Sequence, residues 1–286
     1  MMTTSRLTSY LMTGPGVVFF AALLGVPMVL TFLLSLHAYD FTAGVLPGWT
    51  LANYADVLGD PYFHKIFART FGLALLVTII CVLIGAPEAY VLSRLSNPWR
   101  SIFLLVVLGP LLISVVVRTL GWALFFGGSG VLTMVAQGLG FSDKPVSLMF
   151  TFTGMTIALV HVLVPFMVIS IWAALQKIDT QSEDAALTLG ASKLTVLWRI
   201  TLPQAMPGIL SGSIIVFALT ASAFATPAII GGRRMKVVAT AAYDEYLSTL
   251  NWPLGATIAV LLLLANIAII VSYNKLIERR FAKIFE

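Results

Sequence analysis

The sequence predicts an all-α membrane protein with six transmembrane helices. Three observations lead there. The chain of 286 residues is 59% hydrophobic and only 10% charged, whereas a soluble domain carries about 25% charged residues. So few polar groups cannot cover a water-facing surface, and the mean hydropathy of +0.98 places the chain in lipid. Apolar runs of about 20 residues, long enough to cross a bilayer as helices, recur along its length. Finally, the basic residues behind the net charge of +5 sit at the ends of these runs. Membrane topology produces that placement, and it gives no support to nucleic-acid binding.

The first span, 16–36, follows a polar leader and has no Ala-x-Ala cleavage site, so it reads as a retained helix. The second, 67–92, ends at a short Ser-Asn-Pro turn in the inner loop 93–100. The third is expected as one helix over 101–126. The fourth, 150–175, carries His161 and Pro165. A lone histidine on an apolar helix reads as an interhelical hydrogen-bonding residue, and no second histidine or cysteine stands at metal spacing. The fifth span covers 208–230 and the sixth 254–273. We read the whole chain, 1–286, as one transmembrane domain without tandem repeats. Its single cysteine, Cys81, excludes an intrachain disulfide framework.

Lysine and arginine set the orientation. With the N-terminus in the cytoplasm, ten of them fall inside and six outside, and Arg118 lies within a span. This bias predicts that both termini are cytoplasmic.

The longest inner loop, 176–207, is the most polar stretch of the chain. Thr180 and Glu183 have capping-box spacing, with Thr180 capping a helix and Glu183 reaching back to its amide. Asp184 adds an acid to the first turn, where the helix dipole favours it. Gly190 stands where a helix end takes a residue of positive φ. The resulting short helix presents Ala185, Ala186 and Leu189 on one face, small enough for another surface to approach closely. The plainer reading is an interfacial connector. Pro203 and Pro207 are expected to break the chain before the fifth span.

Asp184-Ala-Ala, Gly190 and, after nine intervening residues, Ile200-x-Leu202-Pro203 resemble the EAA signature. This signature marks the inner-membrane permease subunits of binding-protein-dependent ABC importers. Asp184 replaces the usual glutamate. Thr50 to Tyr54, Pro110 to Thr119, Phe224 to Gly232 and Asn251 to Gly255 are similar to the spermidine/putrescine-type branch. That branch also handles opine-like solutes and ferric iron. Arg69-Thr-Phe71 departs from the Asn-Thr-Leu expected there.

The resemblance implies a type I ABC importer permease-like bundle with a cytoplasmic coupling helix. Glu183, Asp184, Ala185, Ala186, Gly190, Ile200, Leu202 and Pro203 then form the segment that docks the ATPase. It also implies that the chain lies in the bacterial inner membrane and has three partners: a second, identical or homologous permease subunit, two copies of a cytoplasmic ATP-binding subunit, and an extracytoplasmic solute-binding protein. ATP and magnesium belong to the ATPase, whose closure moves the coupling helices as levers. No cofactor, catalytic residue or metal ligand is assigned to this chain, which has no Gly-x-x-x-x-Gly-Lys-Ser/Thr loop and no hydrolase motif.

Residues within spans are candidates for the path. An ionisable group in a membrane usually faces the bundle interior or water. Glu88, after Pro87, would attract a cationic solute, or it lies close enough to the inner interface to reach water. Arg118 either snorkels past Trp122 or lines the path. A fixed cation there suits a carboxylated solute better than a polyamine. Ser222, Phe224, Thr226 and Pro227 offer hydroxyls, a plug and a helix break, against a plainer reading as small-residue helix packing. The expected function is therefore a permease subunit for a small organic solute, polyamine-type or opine-like. The rival is an ion-coupled secondary transporter, which would call for an inverted repeat. A non-transporting membrane scaffold would leave the plug helix without a task.

Overall fold

The computed structural model describes residues 3–177 and 181–285. The chain opens with helix α1 (Thr3–Ser35), a minimal hairpin of β1 (Tyr39–Asp40) and β2 (Gly44–Val45), and α2 (Ala52–Gly59). There follow α3 (Pro61–Arg94), α4 (Trp99–Leu112), α5 (Val115–Phe126), α6 (Val131–Gly138) and α7 (Phe152–Leu175). The inner loop forms α8 (Gln181–Thr188) and α9 (Lys193–Val196), and a π-turn, Leu197–Thr201, leads into α10 (Leu202–Ala221). A second π-turn, Pro227–Gly231, precedes α11 (Val238–Leu247) and α12 (Trp252–Phe285). Among the described residues, six helices are long and apolar enough to span a membrane.

The chain divides into two compact units. The first comprises Met1–His64 and Ala241–Ala268. Its anchor is the C-terminal end of α1, whose last carbonyls have no helical partners. Asn53 Nδ2 donates to the carbonyls of Ser35 (3.2 Å) and His37 (2.8 Å), and Thr257 Oγ1 donates to Ser35 (3.1 Å). The Tyr54 and Ser35 hydroxyls pair at 2.6 Å. The Thr50 to Tyr54 motif therefore ties off α1. Apart from Ser35 at its end, the membrane stretch of α1 buries none of its residues within the chain.

The second unit comprises Lys65–Thr240 and Ile269–Glu286. Its core runs along α7, where Met155, Leu159, Leu163, Met167 and Ile171 are all buried. Thr151 caps this helix by accepting from the Gly154 amide at 3.0 Å. Helix α10 lies against α7 through glycines. A Cβ on Gly208 would stand 2.7 Å from the Ala174 Cβ and the Ser170 carbonyl oxygen, and one on Gly212 would stand 2.7 Å from the Met167 sulfur.

Three expectations about the spans are corrected. The third span is not one helix: α4 ends at Leu112 and α5 begins at Val115, with extended backbone at Ile113 and Ser114. The fifth span ends at Ala221, and the rest of 208–230 turns through Ser222 to Phe224 into the second π-turn. Pro203 and Pro207 do not break the chain, because helical structure runs unbroken over Lys193–Ala221. The first π-turn accounts for Pro203. The Leu202 amide bonds to the Leu197 carbonyl, five residues back, and this wider turn accommodates a proline that lacks an N–H.

Candidate functional site

Helix α8 is closed at its C-terminal end by Gly190, whose φ is +87°. The Gly190 amide bonds to the Leu187 carbonyl and the Ala191 amide to the Ala186 carbonyl, both at 3.0 Å. This is the Schellman arrangement, which favours glycine at that position. The outward side of α8 is open: Asp184 and Ala185 are exposed, Ala186 is half-buried, and Leu189 is 89% exposed. A Cβ at Gly190 would meet nothing within 4 Å. Of the remaining signature residues, Pro203 is exposed at the first turn of α10, while Ile200 and Leu202 are half-buried. Leu202 packs against the core and lines an apolar cavity of about 550 Å³ with Ala86, Ile171 and Trp198. The first half of the signature thus builds a free surface, and the second half builds the route into α10.

Glu183 points the other way and is buried. The Thr180 half of the expected capping box lies outside the described residues. One carboxylate oxygen of Glu183 forms an ion pair with Arg94 Nη2, and the other accepts from Thr201 Oγ1 at 2.7 Å. A buried carboxylate is costly unless it is paired and hydrogen-bonded, and here both oxygens are satisfied. Neither Arg94 nor Thr201 was expected from the sequence. They lie 89 and 18 residues from Glu183, too far for any local pattern to reveal.

Glu88 and Trp122 line one cavity of about 670 Å³, together with His161, Thr156, Phe103 and Pro110. Trp122 Nε1 donates to His161 Nδ1 at 3.2 Å, as expected of an interhelical histidine, and its ring stacks on Phe126 with centroids 4.9 Å apart. Among the described residues, the Glu88 carboxylate has no hydrogen bond or ion pair, and it is half-buried. Arg118 is only 8% exposed, and its Nη1 donates to the Pro110 carbonyl at the end of α4. The candidates of the fifth span separate into two groups. Ser222 and Phe224 are exposed, whereas Thr226 and Pro227 are buried, with Thr226 Oγ1 3.2 Å from Thr119 Oγ1. The unexpected Arg69 and the adjacent Thr70 support the loop before α11. Arg69 Nη1 donates to the Lys236 carbonyl, and Thr70 Oγ1 accepts from the Val238 amide, each at 2.9 Å.

Residues 88–283 match the family described as binding-protein-dependent transport system inner membrane component. The chain belongs to this family. This permease component is 30% identical over 234 residues to the spermidine/putrescine transport system permease protein PotB of Haemophilus influenzae, covering 81% of its own length and 82% of the relative's. It is 31% identical over 214 residues to PotB of Escherichia coli, with coverages of 75% and 78%. It is also 34% identical over 195 residues to the molybdenum transport system permease protein ModB of Mycobacterium bovis, with coverages of 68% and 71%.

Among solved structures, a chain of a bacterial ABC transporter that imports alginate superposes with a TM-score of 0.76 at 18% identity, covering 96% of each chain. The MetNI methionine ABC transporter gives a TM-score of 0.59 at 16% identity, covering 77% of this chain and 98% of that one. The fold is that of the type I ABC importer permeases. The permease component is a multi-pass inner-membrane protein and a transport subunit of an ABC importer, in place of an ion-coupled carrier.

Proposed function

We propose that this permease subunit imports a small organic cation of the polyamine class, driven by a separate ATP-binding subunit that docks on α8. The observation that carries the substrate class is the Glu88 carboxylate, unpaired among the described residues, on a cavity otherwise lined mainly by apolar and aromatic side chains. Aromatic faces and a carboxylate suit an alkylammonium chain. Arg118, the residue that would have favoured a carboxylated solute, is buried and engaged with the Pro110 carbonyl. The PotB relatives support the same class.

Two copies of the ATP-binding subunit hold the ATP and magnesium, and each coupling helix seats against one of them through Asp184, Ala185, Ala186 and Gly190. A second permease subunit completes the path. Helix α1, whose membrane stretch is unburied within the chain apart from Ser35, offers apolar surface for that partner or for lipid. A solute-binding protein delivers cargo from outside. The solved alginate transporter in complex with its periplasmic protein supports this arrangement. Both termini are cytoplasmic.

Vesicle uptake of labelled spermidine, with the partner subunits and binding protein present, tests both parts. Glu88→Gln is expected to lower uptake about tenfold, the scale on which one charge contact changes transfer of a cation. Ala185→Trp is expected to remove the ATP-binding subunit on co-purification. Unchanged spermidine uptake by Glu88→Gln sinks the substrate class, and retained subunits in Ala185→Trp sink the docking surface.

A further inference from the structure

Glu183 is the only buried residue among those described in α8. Successive residues of a helix are about 100° apart, so Glu183 turns inward while the adjacent Asp184 stays exposed. The inward carboxylate joins three elements. Arg94 is the last residue of α3, and its guanidinium also lies over the Tyr90 ring, 5.0 Å from the centroid. Thr201, only 3% exposed, is the last residue of the π-turn that opens α10. A helix of eight residues that buries no apolar side chain has little packing through which to pass a force. A charge-assisted, hydrogen-bonded carboxylate is directional and stiff by comparison.

We infer that Arg94, Glu183 and Thr201 form the joint that passes a displacement of α8 to the inner end of α3 and the first turn of α10 together. The inference rests on the reading of α8 as the docking helix. Both outputs of the joint lead to path candidates. Along α3, Glu88 lies about 9 Å from Arg94 by helical rise. Along α10, the glycine contacts with α7 leave no slack at Gly208 and Gly212, so a push at Thr201 travels toward Ser222. Arg94 and Thr201 act here as positioning residues, with no contact to solute required.

The test uses the assembled transporter in vesicles, with its ATP-binding subunits and binding protein. Arg94→Gln and Thr201→Val are each expected to retain the ATP-binding subunit on co-purification. Each is also expected to lose about tenfold of the hydrolysis that the loaded binding protein stimulates, a typical span for coupling between sites. The double variant should fall no further than Arg94→Gln alone, because both changes disable one joint. Arg94→Lys, which keeps the charge, should recover part of the stimulation. Thr201→Val exchanges a hydroxyl for a methyl and keeps the test open where Arg94→Gln does not fold. Full stimulation in either single variant overturns the joint. So does strict additivity in the double variant, or loss of the ATP-binding subunit from either single variant. Ala185→Trp, run alongside, separates the two readings. If that variant keeps its ATP-binding subunit, the docking reading fails; if it loses the subunit while Arg94→Gln stays coupled, only the joint fails.

Discussion

Neighbouring residues of similar chemistry have opposite fates in this chain. Glu183 and Asp184 both read as first-turn acids, yet one is buried on Arg94 and Thr201 and the other faces solvent. The sequence placed both on a short helix and could not say which faced inward, because the partners of Glu183 come from distant elements. Gly190 was legible, since its left-handed backbone is a local demand of the helix end. Gly208 was not, because its role is to let α10 touch α7. Gly208→Leu would drive a Cβ to within 2.8 Å of the Ile171 Cα. The expected loss is about 3 kcal/mol, the upper part of the usual range for overpacking. Thermal unfolding of the purified protein in detergent should show this as a lowered Tm, while Gly109→Ala, where a Cβ meets nothing within 4 Å, should change it little.

At the scale of elements, hydropathy located the apolar stretches but not their interruptions. A window of about 20 residues averages across a break of two, so α4 and α5 read as one span over 101–126. Pro110 was the visible hint, and Arg118 completes the break by bonding the carbonyl at that position. Arg118→Met leaves this carbonyl without its charged donor. The expected cost is about 2 kcal/mol, the scale of a hydrogen bond to a charged group. Unfolding in detergent should register that loss, and Arg118→Lys should lose less. An unaltered Tm together with altered solute selectivity would instead make Arg118 a path residue. The prolines before the fifth span misled in the opposite direction. Propensity treats Pro203 as a stop, but one π-turn removes the conflict and the helix continues to Ala221.

For the whole molecule, topology is the property most directly open to measurement. Cys81 is fully buried, so the natural chain gives a silent background for thiol labelling. With both termini inside, Asp143→Cys should react with a membrane-impermeant maleimide in intact spheroplasts, and Lys193→Cys only after permeabilisation. The reverse pattern would invert the orientation. Composition, span number, the charge bias and the signature from Asp184 to Pro203 were all readable from the chain alone. They are one-dimensional properties: how apolar a stretch is, how long it runs, and how small residues are spaced. Those properties determined that the protein lives in a membrane, and the resemblance of the signature, with the family match over residues 88–283, placed it with the binding-protein-dependent permeases. Tertiary structure alone decided that Glu183 binds Arg94 and Thr201, that Arg118 closes a broken helix, and that Glu88 shares a cavity with Trp122 and His161. Each of these depends on side chains brought together from separate helices, and in this chain most helices are similarly apolar, so local pattern does not reveal which surfaces meet.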